Sequence, residues 1–110
     1  MERLVKGDVV VLPFPFSDLS ATKKRPAVVL SVLDGEDIIL CQITSHTRHD
    51  RHSIPLTATD FKTGRLTLNS FIRPNRLFTA NRNIILYKIG SVKNNKFKEL
   101  EEKLIKLIRQ

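Results

Sequence analysis

The stretch "KKRPAVVLSVLDGEDIILCQIT", residues 23–44, decides the fold. It contains two runs of β-branched and aliphatic residues, "PAVVLSV" (26–32) and "DIILCQIT" (37–44), short enough for strands and rich in the residues that fit a pleated surface. Between them, "LDGED" places Asp34 and Gly35 where a hairpin needs a tight turn. An antiparallel pair joined in this way brings the start of its first strand beside the end of its second. Arg25 is thereby set next to Thr44 and Ser45. Lys23, Lys24 and Arg25 crowd the entrance of the first run, and like charges this close repel. The cluster costs stability unless an anion faces it.

Outward from the hairpin, similar runs recur with turn signals between them: "DVVVLPF" (8–14), "HSIPL" (52–56), "LTLNSFI" (66–72) and "NIILYKIG" (83–90). This spacing predicts a compact β-barrel or sandwich. Pro13 and Pro15 lack backbone donors, so the first strand ends or lies on an edge there, and residues 15–24 read as a surface loop. The tail "NNKFKELEEKLIKLIRQ" (94–110) repeats Phe97, Leu100, Leu104, Leu107 and Ile108 at helical spacing. Glu99 with Lys103 and Glu102 with Lys106 add pairs in the favoured order. Its apolar stripe packs on the barrel or docks a partner; the pattern fits both. Because the helix follows the strands, the class is mainly β with a terminal amphipathic helix.

A chain of 110 residues suits a single domain, 1–110, with a core that needs no metal or disulfide. Lone Cys41, inside an apolar run, reads as a buried thiol and favours a reducing compartment. No signal-like stretch precedes the first strand, and no run approaches the ~20 apolar residues of a bilayer span. The expectation is a soluble, cytoplasmic protein without membrane contact.

The formal net charge is +8, from 19 Lys and Arg against 11 Asp and Glu. Residues 61–98 include no acid, yet carry Lys62, Arg65, Arg73, Arg76, Arg82, Lys88, Lys93, Lys96 and Lys98. A polyanion, nucleic acid first, is the natural partner; a basic surface serving solubility is the plainer reading. With 4 Gly in the chain, glycine-rich phosphate loops are excluded, and neither a dinucleotide fingerprint nor a nucleophile elbow occurs. No cofactor is expected. His46, His49 and His52 beside Asp50 raise the question of zinc. Arg48 and Arg51 interleave them with cations and no Cys or Glu completes a shell, so no metal site is expected and the segment reads as a nucleic-acid-facing loop. For Arg25 and Thr44, a guanidinium fork matches phosphate oxygens and a hydroxyl contacts a third oxygen, which suits a phosphodiester. A surface charge and an ordinary β former account for the same two residues.

The chain resembles the MazF/PemK family of type II toxins, which are sequence-specific endoribonucleases. The matching pieces are "GDVVVLPF", "RPAVVLS", "CQITS", "LNSFIRPNRLFT" and the closing helix, in family order. The resemblance implies a small SH3-like β-barrel with a C-terminal helix, assembled as a homodimer whose groove takes single-stranded RNA and is blocked by a cognate antitoxin. It further implies metal-free cleavage to 2′,3′-cyclic phosphate and 5′-OH ends, with Arg25 as catalytic arginine and Thr44 as catalytic threonine. Lys23, Lys24, Ser45, Arg48, Arg73 and Arg76 are then the expected RNA contacts. The loop before Arg25 reads "SDLSATKK"; it lacks the Glu of many members, and Asp18 is its only carboxylate. His46 stands where members often carry Gln, and an imidazole suits proton transfer near neutrality, so it joins the catalytic candidates. The missing Glu motivates the alternative of a catalytically inactive nucleic-acid-binding module.

Overall fold

The computed structural model describes residues 3–15, 22–46 and 51–110. Among them, seven strands form one antiparallel sheet: β1 (Asp8–Pro15), β2 (Thr22–Val32), β3 (Asp37–Thr44), β4 (Ile54–Leu56), β5 (Phe61–Gly64), β6 (Ser70–Asn81) and β7 (Tyr87–Val92). Their spatial order is β4-β6-β3-β2-β1-β7-β5, a curled half-barrel with short strands at both edges. One helix, α1 (Asn94–Arg109), closes the chain. The mainly β class with a terminal helix is the one expected.

Both faces of the sheet are apolar, because the central strands are apolar on both sides. On one face Val9, Val28, Cys41, Ile43, Ile72 and Val92 gather under α1; on the other Val10, Leu12, Ala27, Val29, Ile38 and Leu40 form a second cluster. Leu100 is fully buried in the first cluster, with Phe97 and Leu104 packed beside it. The helix stripe therefore serves the core, although Ile108 at its end is 77% exposed. Lys96 secures the helix: its Nζ donates to the Pro55 carbonyl at 3.0 Å and pairs with Glu99 at 2.9 Å and Asp60 at 3.7 Å. No helix among the described residues is long and apolar enough to cross a membrane.

Several strand limits differ from the sequence expectation. β2 begins at Thr22, so Arg25 is its fourth residue, and residues 22–24 of the expected loop pair with β1. β1 runs through both prolines because its pairing with β7 ends at Val11↔Tyr87, leaving Pro13 and Pro15 where β1 has β2 as its ladder partner. β6 starts at Ser70, after a bend, and continues past Pro74 to Asn81. It does so by looping out: Cys41↔Leu77 and Ile43↔Ile72 are consecutive pairs with β3, so residues 73–76 stand opposite Gln42 alone. Pro74 lies in that bulge, where the missing donor breaks no ladder bond.

β5 meets β7 through a Gly64↔Gly90 pair, with Gly64 at φ +68°. A Cβ on Gly90 would lie 2.2 Å from the Thr63 carbonyl oxygen, a backbone atom that cannot move aside alone. Gly90→Ala should accordingly cost about 3 kcal/mol in urea denaturation. Gly35→Ala, at a φ of +82° with open space around it, should cost about 1 kcal/mol. Equal losses would show that the β5–β7 contact is not close-packed.

Candidate nucleic-acid interface

The β2–β3 ladder runs from Val32↔Ile38 to Ala27↔Gln42 and stops. Continued by two residues, the same register would set Arg25 across from Thr44, which on its other edge pairs with Phe71 of β6. On its other side Arg25 is held opposite Leu12 of β1. Thr44 is buried at 6% exposure and Arg25 is half-buried. Lys23, Lys24, Ser45 and His46 are exposed around them.

Thr44 ends its strand by a local bond: its Oγ1 accepts the backbone N–H of His46 at 3.2 Å. Hydroxyl-to-backbone turns of this kind compete with ladder pairing. His46 is therefore in a bend, not on an extension of β3 that would have aligned its ring with the Thr44 side chain. With a lone pair of Oγ1 engaged by His46, the hydroxyl proton of Thr44 is directed elsewhere and can be donated.

Beside the separated ends lies a cleft of about 220 Å³. Lys24, Arg25 and Ser45 line it on the β2–β3 side, and Leu68 and Tyr87 on the other. Thr44 is not in the lining, whereas its neighbours Ile43 and Ser45 are. Tyr87 is a site residue that the sequence analysis does not single out; the signal available is the lone Tyr of the chain, beside Lys88 in "LYKIG".

The basic residues divide by environment. Arg76 is exposed on the bulge. Arg73, expected as an RNA contact, is 7% exposed, so its guanidinium is not a surface cation. Its carbonyl accepts the Cys41 thiol at 2.8 Å. Lys88 pairs with buried Asp8 at 3.4 Å, and Lys96 is taken up by Asp60 and Glu99. The acid-free window of sequence is thus partly neutralised by acids from outside it. Arg48, His49, Asp50 and Asp18 lie outside the described residues, and among the described ones no group of three His, Cys, Asp or Glu is placed to hold a metal ion.

Fold and site together define a small, basic, mainly β protein with an Arg–Thr pair at separated strand ends. A sequence profile of the PemK-like, MazF-like toxins of type II toxin–antitoxin systems matches residues 5–108, and the chain belongs to that family. No curated protein matches it by sequence. Among solved structures it is similar to a mycobacterial endoribonuclease in complex with its cognate antitoxin, with TM-score 0.75 at 14% identity over 96% of this chain and 95% of that chain. A chain of the MazE–MazF complex from Deinococcus radiodurans gives TM-score 0.74 at 20% identity over 96% and 95% of the two chains. The Mycobacterium tuberculosis toxin MazF-mt6 gives 0.69 at 15% identity over 91% and 96%. These likenesses show the fold.

Burial pushes the Cys41 thiol up from 9.0 to about 12, with the charge of Arg73 opposing in part. The unfolded chain releases this proton first, so between those values the native state holds a proton that the unfolded state has lost. The resulting stability is complete below pH 9.0 and declines as pH rises toward about 12. Urea denaturation on both sides of the lower value should show a loss for the native chain that Cys41→Ala lacks, lysine titration being common to both. Identical pH slopes would mean that the thiol is not held protonated.

Proposed function

We propose that this protein is a metal-independent endoribonuclease that cleaves single-stranded RNA, as the toxin of its toxin–antitoxin pair. The observation that carries this reading is that the β2–β3 ladder stops just short of Arg25 and Thr44, next to a cleft lined by Lys24, Arg25 and Ser45. A phosphodiester seated there has a guanidinium fork for its non-bridging oxygens and the Ser45 hydroxyl in the same lining, with Thr44 buried next to it. The 2′-oxygen bonds to phosphorus as the bond to the 5′-oxygen breaks, giving a 2′,3′-cyclic phosphate and a 5′-OH. Arg25 stabilises the extra negative charge of the pentacoordinate transition state, and Thr44 donates to the same group. One group must take the 2′-OH proton and another must supply one to the 5′-oxygen. His46, tethered through its N–H to Thr44 Oγ1, is the proposed carrier of one of them.

The relatives in complex with an antitoxin support a cognate antitoxin as the protein partner here, covering the same cleft. Beside Phe14 and Phe78, Ile84 is nearly half exposed and supplies apolar surface for a homodimer. Lys23, Lys24, Ser45, Arg48 and Arg76 are the proposed RNA contacts; Arg73 is left out because it is buried.

Purified protein in EDTA should cut RNA to fragments with 5′-OH ends. Arg25→Ala should slow this by about a hundredfold, the scale of one lost transition-state contact, with little rescue by Arg25→Lys. His46→Gln should remove one limb of the pH–rate profile, and His52→Gln should leave it intact. RNA that is bound but stays intact over varied sequences would favour the inactive binding module instead.

Affinity should fall with salt at a log–log slope of about 0.7 per phosphate contacted. Lys24→Ala and Arg76→Ala should each flatten that slope by about one such step, whereas Lys96→Met, removing an ion-paired lysine, should leave it unchanged. A slope unmoved by all three would assign the exposed charge to solubility.

A further inference from the structure

Tyr87 opens β7 and is the single tyrosine of the chain. It pairs with Val11 of β1, and Val11 pairs on its other side with Pro26 of β2. Residues directly opposite one another in a ladder share a face, so Tyr87, Val11 and Pro26 form one row across three strands. Two strand spacings separate the ends of that row, about 10 Å. All three line the cleft, and Lys24 and Arg25 stand beside Pro26 in the same lining.

The ring of Tyr87 is poorly covered: the residue is 53% exposed, and Leu68, also in the lining, is 64% exposed. Between the ring and the cations the floor is apolar, made by Val11, Ile43 and Ile89. Such a floor offers no hydrogen bond to a base edge, but it shields a flat apolar face from water. Cations that hold a phosphate, set a short distance from an uncovered aromatic ring, are the elements of single-strand recognition: charge tracks the backbone and the ring stacks a base.

We propose that Tyr87 is the stacking platform for an unpaired nucleobase next to the phosphate held by Lys24 and Arg25, with Leu68 bounding the same cleft. This rests on the RNA reading above and adds a positioning residue to it. A base inside a duplex has both faces covered by its neighbours, so the platform also selects single strands. It holds the nucleotide in register with the cations and leaves the bond-making to Arg25 and Thr44.

The chain has no Trp, so its intrinsic fluorescence arises at Tyr87 alone and reports stacking directly. A randomised 2′-O-methyl oligoribonucleotide, which cannot undergo attack by its own 2′-oxygen, should quench that emission. It should also bind about tenfold more tightly than an abasic phosphodiester strand of equal length. Tyr87→Phe should keep the preference for bases, and Tyr87→Ala should abolish it while retaining the salt dependence. Equal affinity for the two strands, binding without quenching, or a preference that survives in Tyr87→Ala would each overturn the proposal. Cleavage of native RNA is read separately. Intact RNA with full quenching removes the nuclease and keeps the platform; cleaved RNA without quenching does the reverse; and no binding of either strand overturns both.

Discussion

The carboxylate of Asp8 is completely buried, and a buried charge survives only where every side of it is answered. Here the Ser91 hydroxyl donates to Oδ1 at 2.7 Å, the Val5 N–H donates to Oδ2 at 2.8 Å, and Lys88 Nζ stands at 3.4 Å. Two of those partners belong to β7, so the carboxylate clamps β7 to β1 from within. Gly7, at φ +94°, turns the chain into position just before it, donating to the Val29 carbonyl and accepting from the Val92 N–H. β1 thereby becomes the reference for both neighbours: β2 on one side brings Arg25 to Leu12, and β7 on the other brings Tyr87 to Val11. The cleft between them inherits its width from this clamp.

The same pairing changes what the charge of the chain means. Nine cations without an acid over residues 61–98 read as a continuous basic face. Folding brings Asp8 to Lys88 and Asp60 to Lys96, and it buries Arg73. The cations left exposed near the Arg–Thr pair come largely from Lys23, Lys24 and the bulge residue Arg76.

Where the chain obeys one period at a time, its structure is legible. The Asp34–Gly35 turn, β3 from Asp37 to Thr44 and the helix from Asn94 all lie where alternation, turn chemistry and the i,i+4 pattern put them. β6 was legible only in part, because Pro74 argues against a strand and only the unmatched residues 73–76 reconcile the two. β5 was missed because four residues ending in glycine carry no period, and the close Gly64–Gly90 approach is a property of two backbones. For the site, the hairpin turn was enough to bring Arg25 toward Thr44. The bend at His46 was not foreseen, since it follows from one side-chain to backbone bond. Tyr87 depends on a cross-sheet row through Val11, and no local spacing encodes it.

The β2–β3 ladder stops at Ala27↔Gln42, short of Arg25 and Thr44, and on the proposed function this is where a phosphodiester would be met. Two local features mark the early end of the β2–β3 ladder. Pro26 lacks a backbone donor, and the His46 N–H turns back onto Thr44 Oγ1. The second of these engages one lone pair of Oγ1 and leaves the Thr44 hydroxyl proton free to be donated. The half-burial of Arg25 works in the same direction, since a guanidinium with fewer conformations to lose binds an anion at lower entropic cost. The proposed chemistry thus sits where the β2–β3 ladder stops pairing.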